Sequence, residues 1–220
     1  MTAEHVLSAN KNIPLSYFGA DGWSRSFGGD FEISPEHDLA VRLIREDEIE
    51  AMGHVLFLEE ATLGRVAPIG ERFYASVAGY PETAAVLKDK MTLDTRMEVY
   101  SDFANERPDG LLLVKFDKKA GAVGEIGHTQ PKDPFGMSGS AIFGLLVDGR
   151  QVRPRQNALL VGISTRWKRH MKCIQGSSVA ALIPLLDRLL AGSGRERAVA
   201  DQNADATSYD CDEKLFSLAK

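Results

Sequence analysis

The sequence is poor in cysteine. Only Cys173 and Cys211 occur in 220 residues, and they form no C-x-x-C pair. Structural zinc knuckles and dithiol redox centres therefore lack ligands at the required spacing. The count allows one disulfide, but two free thiols in a reducing compartment are the expectation. No apolar run approaches the length of a membrane span. The first residues, MTAEHVLSANKN, lack the basic start and apolar core of a secretory leader. Together these features slightly favour the cytoplasm and give no reason to expect a membrane partner. Charge is not one-sided: 26 Lys and Arg against 31 Asp and Glu leave a net charge of −5. No overall field draws this chain to nucleic acid. Repeats at solenoid or propeller periods are missing too.

What is present is an ordinary globular mixture, 44% hydrophobic and 26% charged. Short apolar segments bounded by turn residues read as strands: 31–33, 39–44, 73–77, 111–116, 140–146 and 158–164. Gly28-Gly29-Asp30, Gly79-Tyr80-Pro81, Pro108-Asp109-Gly110 and Asp148-Gly149 punctuate them. Strands with turns between them, and no regular alternation with helices, predict an all-β barrel or sandwich. Two helices are expected. One covers 46–58, charged at the front and apolar behind. The other covers 178–191, where Val179, Leu182, Ile183, Leu186, Leu189 and Leu190 share a face. Ser177 or Ser178 can cap this second helix, Gly192 can end it, and Pro184 fits best in its first turn. Beyond Gly192 the chain is polar and acidic, and a mobile tail over 193–220 is expected.

One turn carries chemistry. In Gly136-Met137-Ser138-Gly139-Ser140 a single hydroxyl stands among residues with little side chain. A serine attacks only when a base removes its proton, and the carbonyl it attacks needs N–H groups to hold the developing negative charge. Glycines on a sharp turn leave room for a substrate and let N–H groups converge. Gly136 and Ser138 are the natural donors. Taken alone, the pentapeptide is equally readable as a Gly/Ser turn before a strand. It is not an α/β-hydrolase elbow, which needs glycine where Ser140 stands. The chain has five histidines: His5, His37, His54, His128 and His170. His5 lies in TAEHVL, and Asp38 opens the apolar run DLAVRL. A buried carboxylate can fix a histidine's tautomer and stabilise its protonated form. His37 adjoins Asp38, and strand neighbours point to opposite faces.

TAEHVL resembles the T-A-x-H segment of trypsin-like serine peptidases, HDLAVRL their D-[IL]-A-[VL]-x-[RK]-L segment, and GMSGSA their G-[DN]-S-G-[GS]-[PA] segment. Ala75 to Pro81, the strand LVGIS at 160–164 and the closing helix resemble family features as well. The likeness covers about residues 2 to 190 and is nearest the cysteine-poor bacterial branch. It implies a fold of two antiparallel β-barrels of the chymotrypsin type with a C-terminal helix. By this division, 1–70 are an incomplete N-terminal barrel carrying His5 and Asp38, and 71–192 a C-terminal barrel and helix carrying Ser138. It implies a serine endopeptidase acting on peptide or protein substrates through an acyl-enzyme and requiring no cofactor. His5 would be the base, Asp38 its orienting carboxylate and Ser138 the nucleophile. Gly136 and Ser138 would form the oxyanion hole. Lys132, Ser164, Thr165 and Arg166 would shape the pocket for the side chain before the cut. Lys132 falls about where trypsin-type enzymes carry a carboxylate, which argues against Lys or Arg substrates. Met137 replaces the usual Asp or Asn, so activation through a freed N-terminus is not expected.

The pattern departs from the family at the start. About three strands usually precede the histidine, whereas only Met1 to Glu4 stand before His5. A start placed too far downstream and a shortened gene product both explain this. If Met1 is the true start, an opened barrel and a frayed His5 are expected; the chain as written should cleave slowly or not at all. The alternative function is a peptidase-like binding or scaffold protein that has lost turnover. A metal site from His5, His37 and His54 has no accepted spacing. The basic run Arg166 to Lys172 reads as a solvated loop or a rim attracting acidic substrate segments, ahead of a nucleic-acid surface.

Overall fold

A computed structural model describes residues 1–9, 15–53, 58–87, 93–94, 96–117, 122–124, 127–129, 133–145, 147–148, 151–152 and 158–192. The tail 193–220, His54 and Lys132 lie outside the described residues.

Six antiparallel strands close into a barrel. Around the ring run Ala141–Leu145, Ala158–Lys168, Cys173–Ser178, Leu111–Lys115, Glu98–Glu106 and Arg72–Gly79, which pairs back onto Ala141–Leu145. Alternation along these strands sends one set of side chains inward. The interior is filled by Val77, Tyr100, Leu112, Val114, Ile142, Val161 and Ile174 with their neighbours. Tyr100 and Phe116 meet edge to face at 5.0 Å.

The long strand Ala158–Lys168 is buried on both faces. Val161 belongs to the barrel interior, while Leu160 and Ile163 face a second core with Leu39, Val41, Val179, Leu182 and Leu185. A register shift opposite Ile142 and Phe143 skips Val161 in the pairing, as a β-bulge does. This explains why 158–164 reads as a continuous apolar run rather than an alternating one. The second core is the seam where the C-terminal helix, residues 179–192, and the strand Leu39–Val41 cover the barrel wall.

A second barrel is not shown: the described residues of 1–70, where an incomplete N-terminal barrel is expected, form no closed cylinder. That region makes short ribbons: Ser16–Phe18 with Ser24–Ser26, and Glu32–Ser34 with Leu39–Val41. Strands of three residues in separate pairs cannot close a cylinder. The helix expected over 46–58 is observed over Glu46–Met52. The C-terminal helix differs from expectation at its start. Neither serine caps it by its side chain: Ser177 Oγ donates to the His37 carbonyl, and Ser178 Oγ is buried without a partner. Pro184 lies in the second turn, not the first. Two barrel strands, Glu98–Glu106 and Cys173–Ser178, lie outside the segments that read as strands in the sequence. Cys173 is a buried free thiol.

The N-terminal segment is fastened, not frayed. Thr2 and Ala40 exchange two backbone hydrogen bonds of 2.9 Å, and Ala3 is fully buried. Nearby, Arg42 and Glu48 form a buried ion pair at 2.6 Å, and the backbone N–H groups of Arg45 and Gly28 also donate to Glu48. The Arg42 guanidinium outweighs burial and, with those N–H groups, holds the Glu48 carboxyl down to about 2. Because the folded value lies below the ordinary one near ~4.3, the pair stabilises the fold fully above that range. Its contribution is lost as pH falls toward 2. Replacing Glu48 with Ala strands the guanidinium and should cost about 3 kcal/mol at pH 7 by urea unfolding. Glu48→Gln should flatten the loss of stability that the parent protein shows between about pH 4 and 2.

Candidate active site

Three side chains far apart in sequence meet at the edge of the barrel. Asp38 ends the turn Pro35–His37 in the left-handed conformation, φ 52°, which a short polar side chain tolerates. The apolar strand after it pins that backbone in the second core. From there its carboxylate faces the helix Glu4–Ala9. The His5 backbone N–H donates to Asp38 Oδ1 at 2.9 Å, and the ring Nδ1 lies 3.0 and 2.9 Å from Oδ1 and Oδ2. Glu4 N–H donates to the Asp38 carbonyl at 3.1 Å. The other ring nitrogen, His5 Nε2, is 3.1 Å from Ser138 Oγ. An Asp38 carboxylate on Nδ1 favours the tautomer that leaves Nε2 free to accept a proton from Ser138.

Burial raises the Asp38 carboxyl, but the His5 N–H, the His5 ring and Arg166 outweigh it and hold it below the usual carboxylate range. The Arg166 contact is a further ion pair: its Nε donates to Asp38 Oδ2 at 3.0 Å. Arg166 borders the cleft, as its place in the sequence suggests, and also grips Asp38, for which the sequence holds no signal.

The Ser138 turn is held from the barrel. Gly139 N–H donates to the Ser164 carbonyl and Ser164 N–H to the Ser140 carbonyl, both at 2.8 Å. Ser164 Oγ donates to the Met137 carbonyl at 2.5 Å. Met137 itself points into the barrel core, 2% exposed, so this position anchors the turn by apolar packing. Gly136 has φ +85°. Among the described residues the N–H groups of Gly136 and Ser138 donate to no partner, as two donors awaiting an oxyanion would. The loop before them is tied down by Glu82 N–H on the Phe135 carbonyl, 2.9 Å, and Thr83 Oγ1 on the Asp133 carbonyl, 2.8 Å.

A cleft of about 560 Å³ opens over this arrangement, with His5, Ser138, Thr165, Arg166 and Trp167 on its walls and Glu82 at the Gly136 end. A second hollow of about 450 Å³ adjoins it through Gly136 and Ser138, and is lined by Leu15, Phe27, Tyr80 and Met97. Ser164, Thr165 and Arg166, expected at the pocket, all border the first cleft. Thr165 contributes its carbonyl, which accepts from Ser138 Oγ at 2.8 Å. Arg166 to Lys168 pair with Cys173 to Gln175 on one edge, Thr165 being skipped by a register shift; no strand of the described residues takes the other edge of 165–168. The rival His37 takes no part: its ring faces Glu36. Among the described residues no three His, Cys, Asp or Glu gather as a metal-ligand set. Glu82 had no sequence signal, because it lies 56 positions from Ser138 and reaches the turn only through barrel closure.

The chain matches no protein-family model, no curated protein and no solved structure.

A β-carbon at Gly136 would stand 2.8 Å from Glu82 Cβ and 2.9 Å from Glu82 N, besides the cost of the positive φ. Gly136→Ala should therefore destabilise the protein by about 1–3 kcal/mol and displace the turn. A thermal melt together with the Ser138 and Gly139 amide NMR shifts will read both effects.

Proposed function

We propose that this protein is a serine endopeptidase of the trypsin-like type, with His5 as general base, Asp38 as its orienting carboxylate and Ser138 as nucleophile. The observation that carries this reading is the continuous chain Asp38–His5–Ser138, with contacts of 2.9 and 3.1 Å, ending beside two unpaired N–H groups. A closed six-stranded antiparallel barrel followed by a helix is compatible with one half of a chymotrypsin-like fold.

In the proposed reaction, Ser138 Oγ bonds to the scissile carbonyl carbon as its proton passes to His5 Nε2. The carbonyl oxygen becomes an oxyanion and takes the Gly136 and Ser138 N–H groups. Asp38 stabilises the imidazolium. His5 then returns the proton to the leaving amine as the C–N bond breaks, leaving an acyl group on Ser138. Water attacks that ester by the reverse sequence, with its proton taken by His5, and the acid product departs. Two hollows meeting at Ser138 let a chain extend on both sides of the cut, which favours an endopeptidase over an exopeptidase. The open edge at 165–168 gives an extended substrate a strand to pair with.

One contact favours a second reading, a peptide-binding protein without turnover. Ser138 Oγ also lies 2.8 Å from the Thr165 carbonyl, and a hydroxyl donating there is not offering its proton to His5. Labelling decides between the two. A fluorophosphonate should modify Ser138, seen by intact mass and peptide mapping, and Ser138→Ala should abolish it. Asp38→Asn should slow labelling by about 10⁴-fold with the fold intact. A parent protein that stays unlabelled, with bound peptides unhydrolysed, establishes the binding reading instead.

A further inference from the structure

Arg166 occupies an unusual position. It follows the register shift that separates Ser164 from Arg166 in the pairing with Cys173–Ser178, and its side chain is 52% exposed on the wall of the cleft. Nε is spent on Asp38 Oδ2. The two terminal nitrogens donate to no group among the described residues. A guanidinium has five N–H donors in a rigid fork, so four remain, and the bond to Asp38 fixes the plane in which they lie. An arginine held at one end with its fork facing a cleft is preorganised for an oxyacid.

The opposite end of the cleft carries the opposite charge. Glu82 borders it beside Gly136, and its carboxylate has no ion-pair partner among the described residues. Of the described charged side chains on this cleft, apart from the ionisable His5, Arg166 is the cation and Glu82 the anion. A substrate carboxylate is thus drawn toward Arg166 and repelled from the Gly136 end. A chain paired along the open edge at 165–168 presents alternate side chains to the same wall, so one of them comes level with the free fork.

We propose that Arg166 determines specificity in this cleft: it binds the carboxylate of a Glu or Asp side chain on the substrate segment that lies along 165–168, so the protein acts on acidic peptide segments. This rests on the peptidase reading for its consequence, but the carboxylate site itself does not need turnover. The Asp38 carboxylate beneath the guanidinium does not cancel the effect, since a fork can bridge two carboxylates through different nitrogens.

The test is a library of internally quenched hexapeptides with Glu or Gln fixed at one position before the cut. The parent protein should cleave the Glu set about tenfold faster than the Gln set at one of these positions, as expected for one charge-assisted hydrogen-bonded contact. Arg166→Gln should bring that ratio to about 1. Arg166→Lys keeps the charge and loses the fork, and should give an intermediate ratio while guarding against misfolding in the Gln variant. A parent with no preference for Glu, or an Arg166→Gln protein that keeps it, overturns the proposal. If the parent cleaves neither set, the peptidase reading fails and binding decides the matter. In Ser138→Ala protein, the Arg166 Nε–H NMR signal should shift with the Glu peptides and not with the Gln peptides. Equal response, or none, refutes the carboxylate site.

Discussion

The Asp38 carboxylate is the joint on which the cleft depends. Two oxygens receive the His5 backbone N–H, the His5 ring and the Arg166 guanidinium, all within 3.0 Å. These donors come from the N-terminal helix and a barrel strand, while the acceptor comes from a turn ahead of the second core. One charged group therefore ties three elements together and sets the plane of the imidazole. The buried surroundings make each of these bonds count for more than it would in water. They also make the carboxylate costly to leave unpaired.

The barrel supplies what such a joint needs, a support that does not move. Strand Ala158–Lys168 is gripped on both faces, by the barrel interior through Val161 and by the second core through Leu160 and Ile163. It holds the Ser138 turn through Ser164 and carries both the Thr165 carbonyl and Arg166. Met137 plugs the turn into the core from within. The N-terminal segment is fastened to the same frame by the paired bonds between Thr2 and Ala40, by those to Asp38 and by the burial of Ala3. The serine is thus held from the barrel strand and the imidazole from the turn and strand of the second core.

Local sequence carried much of this. The glycines around Ser138 announce a turn because only such residues permit it, and Asp38 before DLAVRL announces a carboxylate fixed by a buried strand. Contacts made by barrel closure left no such trace. Arg166 lies 128 positions from Asp38, and no spacing rule joins them. The strand Glu98–Glu106 lacks a clean alternation because apolar Val99 and Phe103 face outward while acidic Asp102 and Glu106 share the inward face with Tyr100 and Ala104; pairing with strands on both sides holds it in place. Cys173–Ser178 carries glycine and serine at positions where neighbours crowd in. A β-carbon on Gly176 would stand 2.4 Å from Ile142. In the N-terminal region, two backbone bonds at Thr2 and the Asp38 carboxylate hold His5 in place rather than the strands that the family pattern implies.

The most direct measurement is a crystal structure of the protein with a peptide boronic acid. The expected result is boron bonded to Ser138 Oγ, one boronate oxygen accepting from the Gly136 and Ser138 N–H groups, and His5 Nε2 within hydrogen-bond reach with Asp38 still on Nδ1. A boronate bound elsewhere, or attached to Ser138 with its oxygens turned away from both N–H groups and the imidazole swung clear, would contradict it.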